Sequence, residues 1–196
     1  MDQETGGMHA DRLAAFSDGV VAIIITIMVL ELHAPETADR TALTHLLPIM
    51  ASYVLSFLLV AIYWVNHHHL LHSNRRIGRD VLWLNIHWLF WLSLFPFATA
   101  YIGNTRGAPI AVMMYAGLGT ATAIAFRLLG VSLSRRNAEN AVVSLIAPSR
   151  RRKNTVALLA NAAAIPTAMI WTPLAFAFLT LPALLYFLPD ARAETI

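Results

Sequence analysis

The chain alternates long apolar runs with short polar breaks, and that pattern predicts its elements. Apolar runs extend from Leu13 to Leu32, Leu43 to Val65, Val81 to Tyr101 and Ala108 to Leu133, separated by loops that carry charge, Pro or Gly. About 20 such residues are what a helix needs to cross a bilayer. A last apolar block, Val156 to Leu188, is longer than one span requires and is interrupted at Thr172-Pro173, where proline pushes the preceding residue out of helical geometry. It is read as two short helices, with a re-entrant hairpin as the alternative because each half is near the lower limit for spanning. The pattern predicts an all-α membrane protein with six transmembrane helices over 12–32, 43–66, 81–102, 108–133, 154–171 and 173–188, forming one domain over residues 1–196.

Composition agrees with a lipid environment. Of the 196 residues, 58% are hydrophobic and 13% charged, and the mean hydropathy is +0.60, whereas soluble domains carry about a quarter charged residues. The absence of cysteine excludes disulfides and thiolate chemistry. The net charge of +3 does not point to nucleic acid, because the basic residues sit in short loops where they set topology. Arg75, Arg76 and Arg79 lie in one loop, and Arg135, Arg136, Arg150, Arg151, Arg152 and Lys153 in another, against Arg40 and Arg106 in the opposite loops. The excess of positive charge inside therefore predicts that both termini are cytoplasmic. The first outer loop is acidic, with Glu36 and Asp39. Residues 1–10 are polar and lack the apolar run and cleavage site of a secretory signal, so the first helix is expected to be retained.

The first helix carries the most informative chemistry. At 100° per residue, Phe16, Gly19, Ile27 and Leu30 fall within about 40° of Ile23, and Val20 and Thr26 about 60° to either side. This face is an apolar ladder with one mid-membrane hydroxyl, Thr26; the ordinary reading of such a face is lipid contact or helix packing. Ser17 and Asp18 fall about 120° and 140° away from Ile23, so both point away from the ladder. Lipid cannot solvate a carboxylate, so Asp18 is expected to face its own protein, with candidate partners in Tyr63-Trp64-Val65-Asn66-His67-His68-His69 of the second helix and Asn85-Ile86-His87-Trp88 of the third, Asn85, Trp88 and the histidines near His67 being preferred. Arg12 lies too far around the helix to pair with Asp18. Asp11 is the expected cap of a helix beginning at Arg12.

His67, His68, His69 and His72 raise a metal reading, since His68 and His72 are an i,i+4 pair. Zinc sites usually add a carboxylate or thiolate, and only Asp80 is near in sequence, so hydrogen bonding at the membrane boundary is preferred and no metal is expected. Arg127 sits near enough to the end of its span to snorkel, and Trp64, Trp83, Trp88 and Trp91 suit interfacial belts or packing. Gly117, Gly119, Thr120 and Thr122 form a close-packing pattern of small residues. The Thr-Val-Gly-Tyr-Gly loop of potassium-channel filters is absent.

Arg12, Phe16, Ser17 and Asp18 spell R-x-x-x-F-S-D, and this run with its helix resembles the family of the lysosomal potassium channel called transmembrane protein 175, specifically its bacterial homologues. The Trp64-to-His69 segment adds to the likeness. The resemblance implies a homotetramer in the bacterial inner membrane whose first helices line a central pore. It further implies a constriction at Ile23, Ile27 and Leu30 and a potassium preference tied to Thr26; the interhelical polar network expected from the residues themselves, Arg12, Ser17, Asp18, His67, Asn85 and Trp88, then braces the subunit. Gly19 stands where the family more often has alanine. The expected function is passive potassium conduction in preference to sodium, with no enzyme activity, no cofactor other than the permeant ion, and membrane lipid and monovalent cations as partners. A proton-coupled transporter using Asp18 and the histidines is the alternative, though no matched pair of broken helices accompanies them. An intramembrane hydrolase is a third reading, without a nucleophile elbow or paired metal motif to support it.

Overall fold

The computed structural model describes residues 3–34, 40–72, 77–136 and 141–187. They form helices α1 (Gln3–Leu30), α2 (Arg40–His72), α3 (Arg79–Leu92), α4 (Phe95–Asn104), α5 (Pro109–Arg136), α6 (Ala141–Ile170) and α7 (Thr172–Phe187). Among the described residues, four segments are long and apolar enough to cross a membrane: Ala10–Leu30, Leu46–His72, Arg79–Asn104 and Pro109–Arg136, with Thr172–Tyr186 a shorter apolar helix. The all-helical, membrane-spanning architecture thus follows the hydropathy pattern. Glu36, Asp39, Arg75, Arg76 and Leu188 lie outside the described residues, as do the side chains of Arg150 and Arg151.

The helices run past the apolar limits. α1 starts at Gln3 rather than Arg12, so Asp11 is inside the helix and does not cap it. α2 continues through the histidines to His72, and α6 begins at Ala141 and carries the basic run that was expected to be loop. The third span is two helices, α3 and α4, joined by a turn at Ser93-Leu94. Pro96 falls in the first turn of α4; it has no amide hydrogen to donate back to Leu92, so the ladder breaks there. α6 and α7 part at Trp171, one residue before the expected Thr172-Pro173 break.

Between α4 and α5 the chain reverses in a tight motif. Arg106 and Gly107 both have positive φ, the Gly107 amide donates to the Ile102 carbonyl at 2.9 Å and the Arg106 amide to Gly103 at 3.1 Å. This is the Schellman arrangement that satisfies the last carbonyls of a helix. It brings α5 back beside α3, and α6 and α7 pack in turn on α5.

The main core joins Val21, Ile24 and Met28 of α1 to Leu59, Trp88, Phe95 and Tyr115, and a smaller one gathers Leu13, Leu71, Val81, Leu129 and Leu133. Through the larger core runs a chain of hydroxyls. Thr99 Oγ1 lies 2.7 Å from Ser56 Oγ and Ser56 Oγ 2.9 Å from Tyr115 Oη, while Ser52 Oγ donates to the Ile49 carbonyl at 2.8 Å. These bonds tie α2, α4 and α5 together at positions where unpaired hydroxyls would be costly.

Candidate functional site on the first helix

α1 is divided lengthwise. Leu13, Ser17, Val21, Ile24 and Met28 are buried and, at 100° per residue, they centre about 120° from Ile23. The ladder lies on the uncovered side: Phe16, Ile23, Ile27 and Leu30 are exposed, Leu30 at 70%, and Gly19 and Thr26 are exposed with them. A Cβ added to Gly19 would meet nothing within 4 Å. Thr26 Oγ1 donates to the Ala22 carbonyl at 2.8 Å. Its hydrogen is therefore committed to its own helix, and the oxygen lone pairs face outward as acceptors.

On the buried side, three polar residues from three helices form a closed set. Ser17 Oγ donates to the Leu13 carbonyl at 2.9 Å, so it must accept from Asn85 Nδ2, also at 2.9 Å. That fixes the Asn85 amide with Oδ1 toward His67 Nε2, 2.7 Å away, and His67 therefore carries its proton on Nε2. All three are essentially without solvent access. The His67 ring stacks on Trp88 with centroids 4.6 Å apart and planes at 16°.

The structure redistributes the expected brace. Ser17, Asn85 and His67 are hydrogen-bonded together and Trp88 joins them by stacking, while the described residues offer its buried Nε1 no acceptor. Asp18 is not part of this set: its Oδ1 accepts from Trp64 Nε1 at 2.8 Å, in a partly exposed position. The expected contact of Asp18 with Asn85 and Trp88 is thereby corrected. Asp18 lies about 100° from the centre of the buried stripe, at the flank of α1 where α2 presents Trp64. Arg12 is exposed, and no described hydrogen bond joins it to the network. His68 and His72 stack at 6.1 Å, and the described residues contain no group of three or more His, Cys, Asp or Glu able to hold a metal. Trp64 lies in the segment expected to offer Asp18 a partner, though the sequence did not single it out there; the Ser56, Thr99 and Tyr115 chain was missed, and Ser52 and Ser56, one turn apart in mid-span, were the available signal for it.

These features define an integral membrane protein of helical-bundle type, braced by buried polar bonds and leaving one face of its first helix uncovered. The chain belongs to the TMEM175 family. The family described as the endosomal/lysosomal potassium channel TMEM175 matches residues 12–96. A potassium channel of Chryseobacterium sp. (strain P1-3) is 41% identical over 188 residues, 95% of this chain and 97% of that one. A second potassium channel, from Streptomyces collinus, is 36% identical over 135 residues, 65% of this chain and 66% of its own length. The crystal structure of a lysosomal potassium-selective channel TMEM175 homolog from Chamaesiphon minutus superposes with a TM-score of 0.76 at 28% identity, covering 90% of this chain and 95% of that one. The rat endosomal/lysosomal proton channel TMEM175 is more distant, 24% identical over 57% of this chain and 23% of its own.

Proposed function

We propose that the chain is one subunit of a passive, potassium-selective cation channel, a homotetramer in which α1 of each subunit lines the pore. The carrying observation is the uncovered ladder of α1. It is the face that the subunit's own packing leaves free, and it alternates bulky apolar side chains with an outward-facing threonine oxygen. The potassium channels of Chryseobacterium and Streptomyces, with full-length and partial similarity respectively, support the choice of ion. Relatives that are ion channels argue for no enzymatic step.

Ile23, Ile27 and Leu30 form the constriction. On a helix rising 1.5 Å per residue they span about 10 Å of pore axis. Apolar rings of that kind gate by narrowing and dewetting, so an ion passes only after losing part of its hydration shell. Thr26 sits between the upper and lower rings and returns an oxygen ligand to the partly dehydrated ion, which is the physical basis for preferring potassium, the more easily dehydrated cation. The excess of basic residues at 75–79 and 135–153 over the opposite connections supports both termini in the cytoplasm. Proton coupling through the histidines is disfavoured by the position of His67, which is locked between Asn85 and Trp88 on the side of α1 away from the ladder.

Planar-bilayer recording of the purified protein, with potassium on one side and sodium on the other, tests the reading. Unitary steps reversing near the potassium equilibrium potential are expected; flux without such steps overturns it in favour of a transporter. Cysteine at Ile23 should cross-link subunits, and Ile23→Asn, which wets the ring, should raise basal current. If Ile23→Asn leaves current unchanged in assembled channels, the gate lies elsewhere.

A further inference from the structure

His87 is an imidazole that the subunit turns outward inside a membrane span. It lies eight residues into Arg79–Asn104, about 12 Å along the helix axis, and it is exposed. The buried residues of α3 are Val81, Asn85, Trp88, Leu89 and Leu92. At 100° per residue His87 points about 145° away from the centre of that stripe, among the exposed Trp83, Ile86 and Phe90. Trp91 Nε1 donates to His87 Nε2 at 3.3 Å; an indole can only donate, so the neutral imidazole carries its own proton on Nδ1. No described residue accepts that proton, and hydrocarbon cannot.

Asp18 has the converse need. Its Oδ1 accepts from Trp64 of α2, and no described residue donates to Oδ2. The carboxylate and the imidazole stand at one depth. α2 and α3 run antiparallel, with His67 bonded to Asn85 and Leu71 sharing the smaller core with Val81, so His87 is level with position 65, next to Trp64. They also belong to opposite flanks of α1: Ser17 reaches α3 through Asn85, whereas Asp18, about 100° further round the helix, reaches α2. Within the subunit the two do not meet.

Identical subunits in a ring meet through two different faces. A ring closed around α1, the tetramer proposed above on which this step rests, sets the α2 flank of each subunit against the α3 flank of the next. We infer that Asp18 Oδ2 accepts a hydrogen bond from Nδ1 of His87 of the partner subunit, so that a second copy of this chain covers the outward face of α3. Charge complementarity selects that occupant: a carboxylate meets an N–H donor in a charge-assisted bond, at a depth where lipid tails offer neither group. The contact lies beside the ladder and not on it, so it orders subunits around the pore without lining it.

Analytical ultracentrifugation of the purified full chain in density-matched detergent gives the concentration at which half the tetramers dissociate. Asp18→Asn, which puts an amide donor in place of Oδ2, and His87→Leu, which removes the N–H, should each raise that concentration at least tenfold, and the double variant should stay within twofold of the worse single. The chain has no cysteine, so placement is read separately. Asp18→Cys subunits co-assembled with His87→Cys subunits should be joined by a short bifunctional thiol reagent, and neither variant alone should cross-link. Wild-type dissociation in both single variants, multiplied losses in the double, or no cross-link in the mixture overturns the inference and leaves His87 facing lipid. A wild type that is monomeric at every concentration overturns the tetramer as well, so the two failures are told apart.

Discussion

Replacing Asn85 by leucine removes the central member of the Ser17, Asn85 and His67 set while roughly keeping its volume. Two bonds disappear, but their consequences differ. Ser17 keeps its hydrogen on the Leu13 carbonyl and loses only the bond that its oxygen accepts from Asn85 Nδ2. His67 Nε2–H loses its acceptor at a site with 1% exposure, and a buried donor left unsatisfied costs about 1 to 3 kcal/mol. His67→Phe should cost a similar amount for the converse reason, because Asn85 Oδ1 is then left without a donor. The double variant Asn85→Leu/His67→Phe removes both partners and leaves an aromatic ring to stack on Trp88, so its cost should fall well below the sum of the singles, a coupling of about 1 to 3 kcal/mol. Equilibrium unfolding in detergent followed by tryptophan fluorescence measures all four proteins. Additive costs would mean that His67 and Asn85 do not share a bond, and the tautomer and amide orientation argued from Ser17 would fall with it.

Thr26→Val keeps the shape of the ladder and removes the outward oxygen, so the potassium-to-sodium permeability ratio from reversal potentials should fall; an unchanged ratio assigns selectivity to the apolar rings. Gly103→Ala should lower unfolding free energy by about 1 to 3 kcal/mol, because a Cβ there would stand 2.9 Å from the Ile49 backbone Cα and α2 and α4 would have to separate; wild-type stability would show that they separate freely. Asp18→Ala should cost less than Asn85→Leu in the same unfolding assay, since the Trp64 indole it releases is 40% exposed and can find another acceptor; an equal or larger loss would place Asp18 in the buried brace.

The spans were legible because a bilayer imposes a length of apolar chain that hydropathy reads directly. Their ends were not. Outside the hydrocarbon, helix propensity rather than apolarity decides where a helix stops, and Arg, Lys, Gln and Glu are good helix formers. α6 therefore continues through Arg150 to Lys153, where a hydropathy reading places loop; α1 likewise reaches Gln3, although Gly6 and Gly7 there are poor helix formers. The turn at Ser93-Leu94 was hidden for a related reason. Its residues are nearly as apolar as their neighbours, and only Pro96, through its missing amide hydrogen, marks the break.

The polar site was half legible, and the angle around α1 explains which half. The wheel places both Ser17 and Asp18 away from the ladder, about 100° apart around the helix, and it does not say which of the two the bundle covers. That is set by Leu13, Val21, Ile24 and Met28, whose burial centres the covered stripe on Ser17 and leaves Asp18 at its margin. The physics favours this assignment. A hydroxyl bonded to its own helix and to one amide is inexpensive to bury, whereas a carboxylate loses several kcal/mol of solvation in the same place unless fully paired. Asp18 keeps partial access to polar surroundings and takes a single bond from Trp64. With both polar residues bonded on the covered side and its flank, neither depends on the opposite face of α1. What that face offers is apolar bulk, a glycine with nothing opposite it and a threonine oxygen with its hydrogen already spent. A surface so equipped gains little from lipid that plain leucines would not supply, which is the physical argument for the proposed pore, in which further copies of α1 would close around it.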